Sequence, residues 1–386
     1  MNRPFVRSLA AGLLAASALA AGCGEAAHSQ QGRREARDRY DRAGAQISYD
    51  QARQAFQSGQ FDQALANVDR AIARFPKDSS YQLLRGRILH EMTQVEEAHR
   101  AFAAAAELDP AKPEPHYFMG IIHQRWREQD RALESYAKAA SLDPAKLHFA
   151  AAEIEMLTLT GRHDEAEARL AAIERRFEFS PVLDRLRADV HKMRGDHEQC
   201  AAMLERAAMR ETSSPDLLEE LAFARYSKGD WSGSLAVLDD PAIRGSAARP
   251  DLARLRARNL ILLGRPAEAR DALLAIKDDG DPECRTALLM GHAAWRLGDA
   301  GRLRESGEAL VRRHPELADG YLFLGASAGT AGRLEESLAM FEQAMAREPD
   351  RPICRRMLGA AIARCEGLPV AEPAPAAAGA VRSEAP

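Results

Sequence analysis

The sequence predicts an all-α fold, a solenoid of about nine helix-turn-helix repeats with a capping helix at its C-terminal end. The first observation is a column of small residues spaced 34 apart, at Ala64, Ala98, Ala132, Ala166, Cys200 and Ser234. The second is a large apolar residue four positions after each of them, at Val68, Phe102, Tyr136, Leu170, Leu204 and Leu238. Self-similarity at one fixed period of this length indicates a stack of like units.

Each unit is predicted to contain two short helices joined by a turn. In residues 113–146, Tyr117 and Ile121 lie four apart, and Tyr136 and Ala139 lie three apart, which is helical spacing. Helices of this length are marginally stable alone, so they must bury their apolar faces on neighbouring units. The small residues let the backbones of paired helices approach each other.

The pattern resembles the tetratricopeptide repeat (TPR) family, whose 34-residue motif has small or alanine residues at positions 8, 20 and 27, glycine at 15 and proline at 32. Residues 45–78 match this motif at Ala52, Gly59, Phe61, Ala64, Ala71 and Pro76. Nine units fit end to end over residues 45–351, with a single extra residue near Arg249. The resemblance implies a right-handed superhelix in which the first helices line a concave groove.

The N-terminal segment Met1–Gly22 is predicted to be an export signal. Arg3 and Arg7 form a basic head, and the apolar run Ser8–Ala21 carries no charge. This run is shorter than the about 20 residues of a transmembrane helix.

Small residues immediately before Cys23 resemble the bacterial lipobox, which implies that Cys23 is lipidated and becomes the new N-terminus. The lipobox usually has leucine three residues before the cysteine, whereas this chain has Ala20 there. An ordinary cleaved signal and an uncleaved anchor remain alternatives. Gly24 after the cysteine, rather than aspartate, implies the outer membrane, facing the periplasm, if the cell is Gram-negative.

The remaining boundaries follow from composition. Residues 23–44 are polar and are predicted to be a tether, with helix in its second half. A proline and small residues within 239–250 predict a discontinuity between the sixth and seventh repeats. Residues 352–366 are predicted to be a capping helix, and the Ala/Pro-rich residues 367–386 a disordered tail.

Composition and motifs argue against nucleic-acid binding and catalysis. The formal net charge is −4 and only 6% of residues are aromatic, which makes nucleic acid a poor partner. The sequence has no P-loop, no dinucleotide fingerprint and no Gly-x-Ser-x-Gly motif. His191, His197 and Cys200 lie close in sequence but at packing positions, without zinc spacing or a fourth ligand. We therefore expect no enzyme activity, cofactor or metal.

The groove implied by the resemblance is the predicted binding site for other proteins or peptides. Motif positions 2, 5, 9 and 12 of the first helices carry aromatic residues interleaved with arginines, a composition typical of binding hot spots. The predicted groove residues are Tyr49, Arg53, Phe56, Arg87, His90, Tyr117, Gln124, Phe223, Tyr226, Arg254, Arg258 and Trp295.

These features predict a membrane-anchored scaffold that binds protein partners in the cell envelope. Its layout is similar to that of TPR lipoproteins of pilus assembly, outer-membrane protein insertion and exopolysaccharide export, which implies a role in assembly of an envelope complex such as a pilus, a secretion system or a polysaccharide exporter. One alternative is a non-catalytic TPR subunit of an enzyme such as a glycosyltransferase. A cytosolic cochaperone is the other alternative if the export signal is misread, although the Lys/Asn carboxylate clamp of cochaperones has no counterpart at the groove positions.

Overall fold

A computed structural model of the chain describes residues 7–211, 214–244, 249–276 and 281–366, with residues 7–30 and 244 described by their backbone alone. These residues form twenty helices and no strand. The predicted tail, residues 367–386, lies outside them. The helices are α1 Arg7–Gln57, α2 Phe61–Arg74, α3 Ser79–Glu91, α4 Val95–Leu108, α5 Pro113–Arg125, α6 Gln129–Leu142, α7 Leu147–Leu159, α8 His163–Glu174, α9 Pro181–Arg194, α10 His197–Arg210, α11 Pro215–Ser227, α12 Trp231–Leu238, α13 Pro241–Arg244, α14 Pro250–Leu262, α15 Pro266–Leu274, α16 Arg285–Leu297, α17 Ala300–Arg313, α18 Ala318–Thr330, α19 Leu334–Arg347 and α20 Pro352–Cys365.

The order of these helices confirms the predicted all-α repeat fold. Within the described chain they form nine consecutive pairs, from α1 with α2 to α18 with α19, with the short α13 between the sixth and seventh pairs. The final helix α20 packs against α19 through buried Cys354 and Met357. Most of the paired helices have 12 to 14 residues, so packing between them supplies most of their stability.

The turn inside each pair adopts the left-handed backbone conformation at motif position 15. Glycine supplies this conformation, with φ between 69° and 86°, in seven repeats: Gly59, Gly161, Gly195, Gly229, Gly264, Gly298 and Gly332. Thr93 and Arg127 hold the same position in the second and third repeats, with φ of 60° and 61°. The repeat geometry therefore imposes a positive φ on two residues that ordinarily avoid it.

Position 8 of a first helix packs against the ring at position 24 of its partner helix. A Cβ atom added at Gly86 would lie 2.5 Å from Cε1 of Phe102, and one added at Gly120 would lie 2.5 Å from Cε1 of Tyr136. The two rings are buried. Glycine at position 8 thus provides the space that the large residue of the second helix fills.

The eighth repeat reaches the same packing by another route. Its position 24 is Gly307, which has no side chain to fill the space beside Gly291. The fully buried ring of Phe323 from α18, in the ninth repeat, lies against Gly291 instead. A glycine in the large-residue column is thus compensated by a phenylalanine from the next repeat.

Helix α1 extends far upstream of the first repeat. We expected helix only in the second half of the 23–44 tether, but α1 is continuous from Arg7. Much of this stretch consists of good helix formers such as alanine, glutamine and arginine, and Arg37 pairs with Asp41 one turn later at 3.9 Å. No helix in the described chain combines the length and apolar character needed to cross a membrane.

The chain divides into two compact units, residues 1–169 and residues 170–386. This division lies within α8 rather than near 239–250. In the latter region α12 has only 8 residues and ends at Leu238. The four-residue helix α13 follows, beginning at Pro241. The sequence irregularity thus coincides with a shortened second helix.

Candidate functional site

The first helices α1 and α3 of the N-terminal unit form a cleft of about 220 Å³. We call it the α1–α3 cleft, and four of the predicted groove residues line it together: Tyr49, Arg53, Phe56 and Arg87. The remaining lining residues are Gln57, Ser80, Leu83 and Leu84. Residues one helical turn apart on α1 thus meet residues of α3 across the repeat boundary.

The cleft residues of α1 lie beside its buried face rather than within it. Ala52, on the adjacent face of α1, is fully buried, as is Ala64 of α2. Phe56 is half-buried because its ring packs on Phe61 with centroids 5.9 Å apart, and Tyr49 packs on Tyr81 with centroids 4.9 Å apart. The core therefore supports the two aromatic residues from behind, and their other faces are left for the cleft.

Arg87 connects three consecutive repeats through its guanidinium group. The guanidinium carbon lies 5.1 Å from the ring centroid of Phe56 in the first repeat and 5.8 Å from that of Phe118 in the third. Phe118 itself stacks on buried Phe102, with centroids 5.0 Å apart and planes 9° apart. Cation–π contacts of this kind orient the guanidinium plane without using its hydrogen-bond donors.

The polar groups of the cleft have few partners within the protein. Arg53 lies 3.9 Å from Asp50, at the limit of an ion pair, and its side chain is 56% exposed. The hydroxyl of Tyr49 makes no hydrogen bond to the described residues, and burial raises the pKa of Tyr49 above its ordinary value. Tyr49 is therefore a neutral donor at neutral pH, beside two guanidinium groups.

The arrangement identifies the repeat type. Tyr49, Arg53 and Phe56 occupy positions 5, 9 and 12 of a 34-residue helix pair whose positions 8 and 20 are buried small residues. Position 15 has a left-handed backbone in every one of the nine pairs. These helix pairs have the fold of tetratricopeptide repeats. Arrays of stacked repeats form extended concave surfaces that can serve as binding surfaces.

The chain is similar to solved structures of TPR proteins at low sequence identity. A TPR protein from Parabacteroides merdae matches with a TM-score of 0.45 and 12% identity, over 83% of this chain and 99% of that one. Pseudomonas aeruginosa pilF matches with a TM-score of 0.41 and 18% identity, over 64% and 96%. The TPR domain of P58(IPK) matches with a TM-score of 0.28 and 14% identity, over 84% and 98%. No family model matches the sequence, and no curated protein matches it either.

The other predicted groove residues of the N-terminal TPR unit do not line the cleft. Tyr117 lies among four rings, with centroid distances of 5.3 Å to Phe149 and 5.8 Å to Tyr136. Gln124 accepts a hydrogen bond from the hydroxyl of Tyr136 at 2.9 Å. His90 is half-buried in the last turn of α3. Tyr117 and Gln124 thus have structural contacts that the helix positions alone did not reveal.

The predicted residues of the second TPR unit are also largely committed to internal contacts. Arg254 donates a hydrogen bond to Oγ1 of Thr286 at 2.9 Å and lies 3.7 Å from Asp281. Trp295 packs edge-on against Phe323, with centroids 6.0 Å apart. Phe223, Tyr226 and Arg258 are half-buried. Phe223 and Tyr226 pack on the core around α11.

A second cavity, of about 360 Å³, lies in this unit beside α16 and α17. Its lining mixes apolar residues with Glu305, Arg312 and Arg313. None of the predicted groove residues lines it.

The histidines and cysteine that lie close together in sequence have different environments. His197 is exposed and Cys200 is buried, and burial raises the pKa of the Cys200 thiol to about 11. His191 lies 3.7 Å from Asp196. In the described chain no cluster of three or more histidine, cysteine, aspartate or glutamate residues could hold a metal ion.

Sequence reasoning missed Phe118, the second ring that packs on Arg87. Phe118 occupies position 6 of the third repeat, outside the positions expected to face the groove. Its neighbour Tyr117 occupies position 5, which is a groove position in the family. The only sequence signal was the aromatic pair itself.

Proposed function

We propose that this chain is a lipid-anchored TPR scaffold of the cell envelope that binds protein partners through the α1–α3 cleft. The anchor is the acylated Cys23, and the location is the outer membrane facing the periplasm of a Gram-negative cell. The partners are components of an envelope complex such as a pilus, a secretion system or a polysaccharide exporter.

The observation that carries the binding part of the proposal is the composition of the α1–α3 cleft. Two half-buried aromatic residues, Tyr49 and Phe56, lie beside Arg53 and Arg87, whose guanidinium groups are exposed. Aromatic residues and arginine are the side chains most enriched in interface hot spots. The rings are rigidly supported by the core, so binding a partner would cost little side-chain entropy.

The support for the anchor is the sequence of residues 1–24. A basic head and a short apolar run precede the small residues before Cys23. Two or more acyl chains give stable membrane binding, whereas one chain does not. The Cys23→Ala variant should therefore move from the membrane fraction to the soluble fraction or remain unprocessed. An unchanged distribution would mean that Cys23 is not the anchor.

The binding part is tested by chemical crosslinking in envelope preparations, followed by affinity recovery and mass spectrometry. The test variant is Arg53→Ala with Arg87→Ala. Its matched control is Arg100→Ala with Arg125→Ala, since these exposed arginines of the same unit do not line the cleft. We expect the test variant to lose its partners and the control to keep them, with equal helix content by circular dichroism. Equal recovery by both variants would place the working surface elsewhere.

A further inference from the structure

We propose that the α1–α3 cleft recognises a segment of its protein partner in which one large apolar side chain lies beside a carboxylate. This inference rests on the proposed function and names the chemistry of the partner at the same site. The apolar side chain enters the cleft, and the carboxylate binds the guanidinium group of Arg87 with support from Arg53.

The dimensions of the cleft favour a side chain over a whole small molecule. Its volume of about 220 Å³ is below the about 300–1,000 Å³ typical of small-molecule pockets. Tyr49, Phe56, Leu83 and Leu84 supply its apolar surface. A leucine or phenylalanine side chain would bury its apolar surface there, and this burial is the main source of affinity in such contacts.

The guanidinium group of Arg87 is oriented but has no acidic partner in the part of the chain that the structure describes. Phe56 and Phe118 both lie within cation–π distance of it. It makes no hydrogen bond or ion pair to the described residues, and its side chain is exposed. Because stacking uses only the faces of the guanidinium plane, the N–H donors at its edge are left for a ligand. That planar edge matches the two oxygens of a carboxylate, which it can bind through two parallel hydrogen bonds.

The charges around the cleft favour an acidic segment over a basic or neutral one. Arg53, Arg87 and Lys112 supply three cations; Lys112 donates to Oγ of the cleft residue Ser80 at 2.8 Å. The nearby acids are Asp50 and Asp78. Asp78 already accepts a hydrogen bond from the backbone N–H of Ser80 at 2.9 Å, as the N-cap of α3.

Among the described residues around the cleft, three cations therefore face two acids, which leaves a net positive charge beside the two arginines. A partner carboxylate would neutralise them, whereas a lysine side chain would be repelled by like charge.

The test is a binding measurement with synthetic peptides on the full chain. The probes are 12-residue Gly/Ser peptides that carry Phe, Leu or Ala at position 6 and Glu, Gln or Lys at positions 7 and 8. Fluorescence anisotropy gives the affinity of each peptide for the wild type and for two variants. Arg87→Gln removes the guanidinium group that is proposed to bind the carboxylate. Arg125→Gln is the control, because Arg125 is an exposed arginine of the same unit outside the cleft.

We expect the Phe-Glu and Leu-Glu peptides to bind at least tenfold more tightly than their Gln counterparts and than the Ala-Glu peptide. Arg87→Gln should abolish the preference for Glu and retain the preference for Phe or Leu over Ala, whereas Arg125→Gln should retain both preferences.

Equal binding of Glu, Gln and Lys peptides by the wild type would overturn this inference and leave the proposed scaffold function intact. A failure of all peptides to bind, while partners are still recovered by crosslinking, would also overturn it. The proposed function itself fails if the Arg53→Ala, Arg87→Ala variant and its control recover partners equally in the crosslinking experiment. The two failures are therefore distinguishable.

Discussion

Arg351 forms a two-point ion pair with Asp319, donating to Oδ2 at 2.9 Å from Nη1 and to Oδ1 at 2.8 Å from Nη2. Arg351 is the last residue of the ninth repeat and the N-cap of α20, whereas Asp319 lies in the first turn of α18. Lys112 and Ser80 of the second repeat are also 32 residues apart, and Lys112 donates a hydrogen bond to Oγ of Ser80. In both cases, the last residue of a repeat contacts the first turn of the first helix of that same repeat.

Arg351→Ala should strongly destabilise the C-terminal end of the array. The side chain of Asp319 is only 6% exposed, and breaking a buried ion pair by removing one partner costs about 3–5 kcal/mol. The effect is measured by urea denaturation and by hydrogen exchange of α20. Arg333→Ala is the control, because Arg333 pairs with Glu336 at the surface, with both side chains at least 43% exposed. It should change the free energy of unfolding by less than about 1 kcal/mol, and equal effects of both variants would contradict the role given to Asp319.

Ala98→Leu and Ala132→Leu should each destabilise the protein by about 1–3 kcal/mol, because added methylenes overpack a close helix pair. Both alanines are fully buried. The readout is the midpoint of thermal unfolding, and two unchanged midpoints would show that the repeat register is wrong.

Cys200→Ser should be milder than either alanine variant. Serine occupies the same motif position in Ser234 and Ser337, whose hydroxyls donate at 2.7 Å to the carbonyl groups of Ala222 and Gly325 on the partner helix. A serine at position 200 should therefore find an equivalent acceptor across its own helix pair. The same thermal unfolding measurement compares it with the alanine variants.

Thr93→Gly and Arg127→Gly should each raise the free energy of unfolding, by about 0.5–1 kcal/mol. A left-handed conformation costs a non-glycine residue about 1–2 kcal/mol, and glycine removes this cost. The greater freedom of glycine in the unfolded chain offsets about 0.4–1 kcal/mol of the resulting gain in stability. Gly59→Ala is the converse control and should destabilise, since φ is +71° at a site with open space around the Cβ position. The measurement is the midpoint of urea denaturation for each variant. A loss of stability in both glycine variants would contradict the strain assigned to position 15.

The protein should become less stable as the pH falls from about 7.5 to 5.5. Burial lowers the pKa of His292, and burial and the charge of His123 lower that of His99, so both are below the value of about 6.5 in the unfolded chain. The unfolded state therefore takes up protons first, and stability present above about pH 6.5 is lost below it. His314 has a raised pKa, because the Pro282 carbonyl and then Glu316 accept its hydrogen bonds, and it opposes the trend.

The pH dependence is measured as the free energy of unfolding at several pH values. His99→Gln should flatten the dependence, whereas His314→Gln should steepen it. Identical pH dependence in the wild type and both variants would contradict these assignments.

The sequence was sufficient to predict the helix pairs because the repeat signal is local and recurs nine times. The turn at Thr93 and Arg127 was not predictable from those residues, since repeat geometry overrides their preference for negative φ. The continuity of α1 also escaped prediction, although the stretch from Cys23 to Gly44 is rich in good helix formers.

The candidate site was predictable only in part. Tyr49, Arg53, Phe56 and Arg87 were assigned to one face by motif position, and the structure brings these four residues together. Tyr117 was assigned by the same rule, but the rings around it come partly from the following repeat, at His148 and Phe149. Motif position gives the face of a helix, whereas the neighbouring repeat decides whether that face stays open.

The most direct test of the account is site-specific photo-crosslinking of the chain in intact cells. A photoreactive amino acid replaces Gln57, an exposed residue that lines the α1–α3 cleft, or Gln63, an exposed residue of α2 outside it. If the cleft is the binding surface, Gln57 should give discrete protein adducts that the Arg53→Ala, Arg87→Ala background removes, and Gln63 should give none. Adducts of equal yield from both positions, or from Gln63 alone, would contradict the claim that the cleft binds the partner.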